Sequence, residues 1–377
     1  RSVLVTGVQT CALPICVCKA FLPIFLRFNI RACLKNHSRN LHASICGIFC
    51  PNLVVIAHYD ALICAKSSIN CDAHLAKVFF KHALGICCFF FEKMEEKRMK
   101  TLGYYNGKFG ELDEMSIPMN DRVCWFGDGV YDAGLSRNYK IFALNEHIDR
   151  LFNSAGLLDI KVPVTKAELA DLLQEMVNKM DTGNLFVYYQ VTRGTGMRNH
   201  VFPEGKANLW IMLKPAEIED GTKPIKLITA EDTRFFHCNI KTLNLIPSVM
   251  AAEKAKRAGA EECVFYRPGK RVTECAHSNC HIIKDGKLIT APTDNLILPG
   301  IVRAHLIKAC KKLEIPVSET PYTLDEMFDA DEVLVTSSSK LCMYANELDG
   351  KPVGGKAPEL LEKIRKEIMD EFMTATN

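Results

Sequence analysis

Signals for regular secondary structure begin at residue 99 and continue to the end of the chain, whereas the preceding segment has almost none. Residues 103–109 place Asn-Gly between two short β-prone pieces, the strongest short-range signal for a hairpin. Thr165 and Glu168 form a capping box, after which apolar residues follow helical spacing to an expected stop at Gly183. The sequence therefore predicts a folded globular unit from residue 99 onward.

Residues 1–98 are rich in cysteine and apolar side chains but show no sustained helical or strand period. A signal peptide needs one apolar stretch after a basic start, whereas Pro14 and Pro23 interrupt the pattern here. A membrane span needs about 20 mostly apolar residues, and the best candidate, residues 46–65, contains proline, histidine and aspartate. The cysteines also lack the repeated Cys-x-x-Cys spacing of a zinc site.

A third interpretation of this segment comes from its codons. Residues 5–15 (VTGVQTCALPI) are what a widely used sequencing adapter gives when translated in one frame. Residues 94–98 can be encoded by a purine-rich stretch that contains a bacterial ribosome-binding sequence, directly before Met99. We therefore expect residues 1–98 to be a mistranslated or artefactual extension and Met99 to be the native start.

Composition narrows the function classes. The formal net charge is only +3 over 377 residues, and no Lys/Arg-rich run is interleaved with aromatics, so nucleic acid is not an expected partner. The weak signal for a membrane span likewise predicts no membrane partner. Ten of the 17 cysteines precede residue 99, and the other seven are scattered singly. Such scatter is typical of reduced thiols and predicts a cytoplasmic protein.

The rest of the chain divides into two mixed halves. In residues 99–214 the pattern predicts a helix capped by Asn145, a helix after Thr165, and buried strands over 185–192 and 208–213. Residues 215–224 have proline at both ends and no apolar period, as expected of a linker. The second half, 225–377, is sheet-rich. Its predicted strands cover 225–229 and 332–336, its helices 248–258, 302–313 and 358–372, and its turns 268–269 and 285–286.

Lys241 lies in an otherwise apolar segment, residues 238–245. Such a lysine either extends along its alkyl stem to the surface or is buried with the lowered pKa that a Schiff-base lysine needs. Arg150 could pair with Glu146 four residues earlier or clamp a phosphate. Glu274 is either a solvated turn carboxylate or a partner for a protonated ring nitrogen. Read alone, each residue leaves both interpretations open.

Three further features could bind anions. Residues 299–304 open a helix, so the backbone amides of Ile301 and Val302 are free to bind a phosphate, or only water. Residues 336–340 offer hydroxyls for the same anion, or form a plain polar loop. Arg198 and His200, two residues apart in an extended loop, would point the same way and trap a carboxylate.

Seven stretches carry a family resemblance when they are taken together and in order. They are FGDGVYDA, LNEHIDRL, YYQVTRGTGMRNHVFPE, NIKTLNLI, VTECAHSN, LPGIVR and LVTSSS. The chain resembles the branched-chain and D-amino-acid aminotransferase family, the class IV fold of pyridoxal-phosphate enzymes. The resemblance covers residues 100–377 and none of 1–98.

This resemblance implies an α+β, two-domain class IV fold, with a smaller N-terminal domain (99–214), a linker (215–224) and a larger pyridoxal-phosphate-binding domain (225–377). Lys241 would carry the cofactor as a Schiff base and move a proton between the substrate Cα and cofactor C4′, and Glu274 would pair with the ring nitrogen. No metal is implied. The cofactor-binding residues would be Arg150, Glu274, Ser278, Ile301, Val302, Ser337 and Ser338.

The resemblance also implies a substrate class. Tyr131, Arg198 and His200 resemble the α-carboxylate trap of D-amino-acid transaminases, in which the arginine and histidine come from the neighbouring subunit of a homodimer. The family reaction converts D-alanine and 2-oxoglutarate to pyruvate and D-glutamate. One departure is the run after Glu274, which is hydroxyl-rich in the family and here places a bulky imidazole at His277.

Two rival interpretations remain open. An L-branched-chain aminotransferase, or a lyase that makes 4-aminobenzoate from aminodeoxychorismate, would share the fold but is not expected to carry the Arg198-x-His200 loop. A non-catalytic homologue is suggested by the altered run at residues 275–277, but the intact set of Lys241, Glu274 and Arg150 opposes it.

Overall fold

Two β-sheets organise the protein. The computed structural model describes residues 100–377, and the first part of this range forms an antiparallel sheet of six strands in the order β2-β1-β6-β5-β3-β4. Its strands are β1 (Leu102–Tyr105), β2 (Lys108–Gly110), β3 (Gly129–Arg137), β4 (Lys140–Ile141), β5 (Leu185–Thr192) and β6 (Asn208–Pro215). The strand predicted over 185–192 is confirmed, and the one predicted over 208–213 extends by two residues.

The β1–β2 hairpin follows from its turn residues. Asn106 and Gly107 both have positive φ, 44° and 91°, as the two-residue turn that matches the strand twist requires. Glycine adopts this conformation without steric cost, and asparagine tolerates it better than most residues. The predicted hairpin is therefore confirmed.

Three helices accompany this sheet within the described residues: α1 (Arg122–Phe126), α2 (Leu144–Leu157) and α3 (Lys166–Asn178). The capping box at the start of α3 is confirmed, because Thr165 accepts from the Glu168 amide and Glu168 accepts from the Thr165 amide. Helix α3 buries Leu169, Leu173 and Met176 against the sheet, and each such side chain contributes about 1.5–3 kcal/mol when fully buried.

Two predicted helix boundaries are wrong. The residue that precedes α2 is Ala143, in a left-handed conformation and without a side-chain cap, so Asn145 lies inside the helix. Helix α3 ends at Asn178, well before Gly183. A Cβ at position 183 would lie 2.5 Å from the Tyr139 amide nitrogen, which shows that Gly183 is needed for close packing.

The second sheet has nine strands within the described residues, in the order β12-β11-β10-β13-β14-β7-β8-β9, with β15 paired to β14. Its strands are β7 (Ile225–Glu231), β8 (Glu262–Arg267), β9 (Arg271–Cys275), β10 (Asn279–Lys284), β11 (Lys287–Thr290), β12 (Val317–Glu319), β13 (Glu332–Ser337), β14 (Leu341–Leu348) and β15 (Lys351–Pro352). The β14–β7, β7–β8 and β11–β12 pairs are parallel and the others antiparallel.

Four helices belong to this half of the described chain. They are α4 (Ile246–Arg257), α5 (Ile301–Lys312), α6 (Leu324–Phe328) and α7 (Pro358–Ala375). The helices predicted near α4, α5 and α7 are confirmed, with ends displaced by at most three residues. Helices α5 and α7 pack on each other and over β13 and β14.

Residues 98–377 group into a single compact unit by their contacts, so the predicted division into two domains at 215–224 stays a prediction. The expected extension, 1–98, lies outside the described residues. In the described part of the chain, no helix is long and apolar enough to cross a membrane. The seven cysteines found there are free thiols.

Candidate active site

A cavity of about 340 Å³ opens between the first half of the protein and the second sheet. Nine of the eleven site residues predicted from the sequence line it, and they come from both halves of the chain. These nine are Tyr131, Arg150, Lys241, Glu274, Ser278, Ile301, Val302, Ser337 and Ser338.

Lys241 is placed by backbone hydrogen bonds to the first half. Its carbonyl accepts from the Tyr131 amide at 3.0 Å, and its own amide donates to Ser154 Oγ of helix α2 at 3.2 Å. The next residue, Thr242, forms an isolated β-bridge with Val130. The half-buried side chain then reaches over the Tyr131 ring, with Nζ 4.3 Å from the ring centroid. Lys241 is thus an inward-facing lysine and not a surface one.

Glu274 lies near the end of β9 as a buried carboxylate on the cavity wall. It accepts from the Leu298 amide and from Asn279 Nδ2, each at 3.0 Å, and it forms an ion pair with Arg234. Burial raises the pKa of Glu274, although the guanidinium of Arg234 acts in the opposite direction. The result is a carboxylate with a fixed orientation and an increased affinity for a proton.

Arg234 and Asp232 were missed by the sequence reasoning. Asp232 is buried and accepts from Arg234 Nη2 at 2.9 Å, from Arg267 Nε at 3.2 Å and from the Thr273 hydroxyl at 3.0 Å. This cluster fixes Arg234 behind Glu274. The sequence signal was weak, because Asp-x-Arg at a strand end is equally a surface ion pair.

Arg150 is held by a residue that the sequence reasoning did not select. Its Nε and Nη2 donate to the two carboxylate oxygens of Asp132, each at 2.8 Å, and Nη1 donates to the Pro299 carbonyl at 3.3 Å. Burial alone would raise the pKa of Asp132, but Arg150 and His147 hold it well below its ordinary value. The alternative partner, Glu146, instead pairs with His305 at 3.0 Å.

Helix α5 points its N-terminus into the cavity. Its N-cap, Gly300, provides no side-chain cap, so the amides of Ile301 and Val302 remain available to an anion. A Cβ at position 300 would lie 2.0 Å from Asn279 Oδ1, which explains the need for glycine in this tight approach. The positive end of the helix dipole therefore faces the cavity.

Hydroxyl groups line the wall near that helix. Ser337 and Ser339 lie with their oxygens 3.3 Å apart, and Ser337 accepts from the Lys340 amide at 3.2 Å. Ser278 also lines the cavity, but its hydroxyl donates to the buried Glu262 at 2.5 Å. Ser278 therefore has only its lone pairs left to offer a ligand.

Arg198 and His200 lie outside this cavity, on an exposed loop of the first half. Both contact the Phe126 ring: the Arg198 guanidinium and the His200 ring centroid each lie 5.2 Å from its centroid. Arg122 anchors the loop, because its Nη1 donates to the Asn199 carbonyl at 2.6 Å and the Val201 carbonyl at 3.3 Å. The predicted carboxylate trap is therefore not assembled within one chain.

The donor set suits one class of ligand. An amine, a buried carboxylate, a guanidinium, an uncapped helix N-terminus and several hydroxyls surround a cavity in the size range of small-molecule sites. The cationic and hydroxyl groups fit a phosphate, the carboxylate fits a protonated ring nitrogen, and the amine fits an aldehyde. In the described part of the chain, no group of three or more His, Cys, Asp or Glu could hold a metal ion. The set fits pyridoxal phosphate.

Comparison with known proteins identifies the family. Residues 129–348 match the model of the Amino-transferase class IV family. The D-alanine aminotransferase of Listeria monocytogenes serotype 4b is 40% identical over 286 residues, which span 74% of this chain and 97% of that protein. The D-alanine aminotransferase of Bacillus licheniformis is 36% identical over 284 residues, 74% of this chain and 99% of that protein. The chain belongs to the class IV aminotransferases and is a pyridoxal-phosphate-dependent enzyme.

Solved structures show the same fold. The branched-chain amino acid aminotransferase of Escherichia coli superposes with a TM-score of 0.67 at 22% identity over 73% of this chain and 96% of that one. The branched-chain aminotransferase of the archaeon Thermoproteus uzoniensis, solved with norvaline, gives 0.66 at 21% identity over 73% and 96%. The predicted class IV fold is thus confirmed. Separately, residues 34–93 match a Family of unknown function (DUF6783).

Proposed function

We propose that this enzyme transfers the amino group of a D-amino acid such as D-alanine to a 2-oxo acid such as 2-oxoglutarate. The observation that carries the proposal is the convergence of Lys241, Glu274 and Arg150 on one cavity, in a chain whose relatives are D-alanine aminotransferases. The Arg198-x-His200 loop supports the same substrate class.

The cofactor would be held at three points. Lys241 would bond it covalently through Nζ, Glu274 would accept a hydrogen bond from its ring nitrogen, and Arg150 would bind its phosphate. The other phosphate ligands would be the amides of Ile301 and Val302 and the hydroxyls of Ser337 and Ser338, with Ser278 close by. Pyridoxal phosphate, when bound, withdraws electrons from the substrate Cα and makes its C–H bond acidic.

The chain's own residues then direct the proton and the substrate. Lys241 Nζ would take the proton from the substrate Cα, because an amine fixed at the wall of the cavity is positioned to act as a general base. Glu274, whose pKa is raised by burial, would share a proton with the ring nitrogen of the cofactor. Tyr131, whose ring lies under Lys241 Nζ, forms one wall for the substrate carboxylate.

A second copy of this chain would complete the site. Arg198 and His200 lie outside their own cavity, on a loop with unusually exposed apolar neighbours. Those exposed side chains are Met119 at 89%, Met197 at 81%, Val201 at 71% and Phe202 at 57%. Exposed apolar patches of this kind mark interaction surfaces, so we infer a homodimer in which each loop traps the substrate carboxylate of the other subunit. The free thiols support a location in the cytoplasm.

A spectroscopic experiment tests the proposal. Purified protein is mixed with pyridoxal phosphate, the visible absorption band is recorded, and D-alanine or L-leucine is added. We expect a band that D-alanine bleaches and L-leucine does not. Bleaching by L-leucine alone would assign the enzyme to the branched-chain group, and absence of any band in the wild-type protein would favour a non-catalytic homologue.

A further inference from the structure

His277 and Glu262 form an ion pair at the wall of the cavity that the assigned chemistry does not use. His277 Nδ1 lies 3.0 Å from Glu262 Oε2, and the His277 side chain lines the cavity and is 55% exposed. Its other ring nitrogen, Nε2, has no hydrogen-bond partner among the described residues. One nitrogen is therefore fixed by a carboxylate while the other remains available to a ligand.

Glu262 favours the protonated form of this imidazole. The carboxylate is 1% exposed, accepts from the Cys263 amide at 3.0 Å and the Ser278 hydroxyl at 2.5 Å, and has His277 as its charged partner. A buried carboxylate without such a partner is strongly unfavourable. The hydrogen bond to Glu262 raises the pKa of His277, whereas burial and the nearby Lys340 act in the opposite direction.

Lys340 brings a second positive charge to the same region. It directly follows the cavity-lining Ser339 and pairs with Glu219 at 3.1 Å, with its side chain 36% exposed. Protonated His277 and Lys340 together offer two positive groups to an anion that enters this region. Glu262 and Lys340 are the charged groups that act on the pKa of His277.

We propose that His277, positioned by Glu262 and assisted by Lys340, binds the side-chain carboxylate of dicarboxylic substrates of the glutamate and 2-oxoglutarate class. The inference rests on the proposed transaminase function and adds a specificity-determining residue to it. Alanine and pyruvate lack this second carboxylate, so His277 would contribute to only one of the two substrate pairs.

The anion is assigned to the substrate and not to the cofactor phosphate. Arg150 and the uncapped N-terminus of α5 already supply a guanidinium and free amides for a phosphate, whereas His277 is a half-exposed group held by a different carboxylate, Glu262. If His277 instead bound the phosphate, its loss would weaken cofactor binding and affect all amino acids equally. The two sources of the anion are therefore distinguishable.

The first test compares substrates in the half-reaction with holoenzyme. The ratio of kcat/KM for D-glutamate to that for D-alanine is measured in the wild type, in His277→Gln and in His237→Gln, which removes another imidazole that lines the cavity. We expect the ratio to fall about tenfold or more in His277→Gln, since a charge-assisted hydrogen bond is lost, and to stay constant in His237→Gln. An unchanged ratio in His277→Gln overturns the proposal.

The second test measures binding without turnover. Calorimetric titrations of holoenzyme with glutarate and with the monocarboxylate butyrate are compared across a pH series. We expect the preference for glutarate to decline as the pH rises through the raised pKa of His277, and to decline at lower pH in Glu262→Gln. A preference independent of pH in both proteins contradicts the role of His277. Failure of the wild type to react with any D-amino acid would instead remove the proposed function, and the inference with it.

Discussion

Arg150 and Asp132 meet in a buried two-point ion pair, in which Nε and Nη2 of the arginine donate to the two carboxylate oxygens at 2.8 Å each. The pair aims the remaining guanidinium nitrogen toward the N-terminus of α5, where it also donates to the Pro299 carbonyl. Asp132 lies on the face of β3 opposite Tyr131, so one strand provides both a cavity wall and the support for the proposed phosphate ligand.

Asp132→Asn is expected to destabilise the protein and weaken its binding of pyridoxal phosphate. Removing one partner of a buried ion pair costs about 3–5 kcal/mol, because the other charge stays buried. Urea unfolding and titration with the cofactor measure the two effects. Asp149→Asn is the matched control on the neighbouring helix α2: its pair with Lys166 is exposed and is worth at most about 1 kcal/mol. Equal effects of the two substitutions would contradict the role given to Asp132.

Subunit mixing tests whether the carboxylate trap is shared. Lys241→Ala and Arg198→Ala proteins are each expected to have little activity with D-alanine, the first through lost turnover and the second through weak substrate binding. When the two variants are refolded together, each mixed dimer would contain one intact site and one inactive site. Random pairing should therefore restore about a quarter of all sites. If activity does not recover although both variants are folded and dimeric, either Arg198 and Lys241 serve the site of the same chain or Arg198 does not form the trap.

The sequence identified the residues that line the cavity more successfully than it identified the residues that support them from behind. Lys241, Glu274 and Arg150 were selected because a resemblance made their types meaningful together, and all three line one cavity. Asp132 was quoted within FGDGVYDA but not selected, although His147 and Arg150, three residues apart on α2, share the helix face that covers it. A buried acidic residue in a strand, opposite two such basic residues, was the available signal.

Other features depended on packing that a single sequence does not specify. The Asn-Gly turn and the capping box are local, so they were predicted correctly. Arg234 reaches Glu274 over 40 positions of sequence, and Gly183 is required by contact with Tyr139 and not by a helix end. Long-range contacts of this kind follow from the assembled sheets and not from periodicity.

His281 predicts sensitivity to acid. It is fully buried between the hydroxyls of Thr290 and Thr336, at 2.8 and 2.9 Å, and burial lowers its pKa from 6.5 to about 3. In this interval the unfolded chain binds a proton that the folded chain does not, so stability falls as the pH decreases below 6.5, by up to about 1.4 kcal/mol per pH unit.

In the His281→Gln variant, the glutamine amide does not titrate and can still form hydrogen bonds with Thr290 and Thr336. Urea unfolding of the wild type and the variant at pH 7 and pH 5 measures the difference. We expect the variant to lose less stability between the two values, with His237→Gln, at an exposed position, behaving like the wild type. The same loss in all three proteins would show that His281 is not the titrating group.

A chain that starts at Met99 is expected to fold and bind pyridoxal phosphate like the full chain. Residues 98–377 already form a compact unit, and the class IV match begins only at residue 129. Thermal unfolding and the visible cofactor band compare the two proteins. Because residues 34–93 match a family of their own, a clear loss of stability or cofactor binding in the short chain would reject the idea that 1–98 is dispensable.

The chirality of the product tests the central claim most directly. Holoenzyme is incubated with D-alanine and 2-oxoglutarate, and the glutamate formed is separated by chiral chromatography. Lys241→Ala is the control for the lysine, and Lys254→Ala, at an exposed position of α4, is the control for substitution itself. We expect D-glutamate from the wild type and from Lys254→Ala, and none from Lys241→Ala. Formation of L-glutamate, or D-glutamate formation that survives the loss of Lys241, would contradict the proposed reaction.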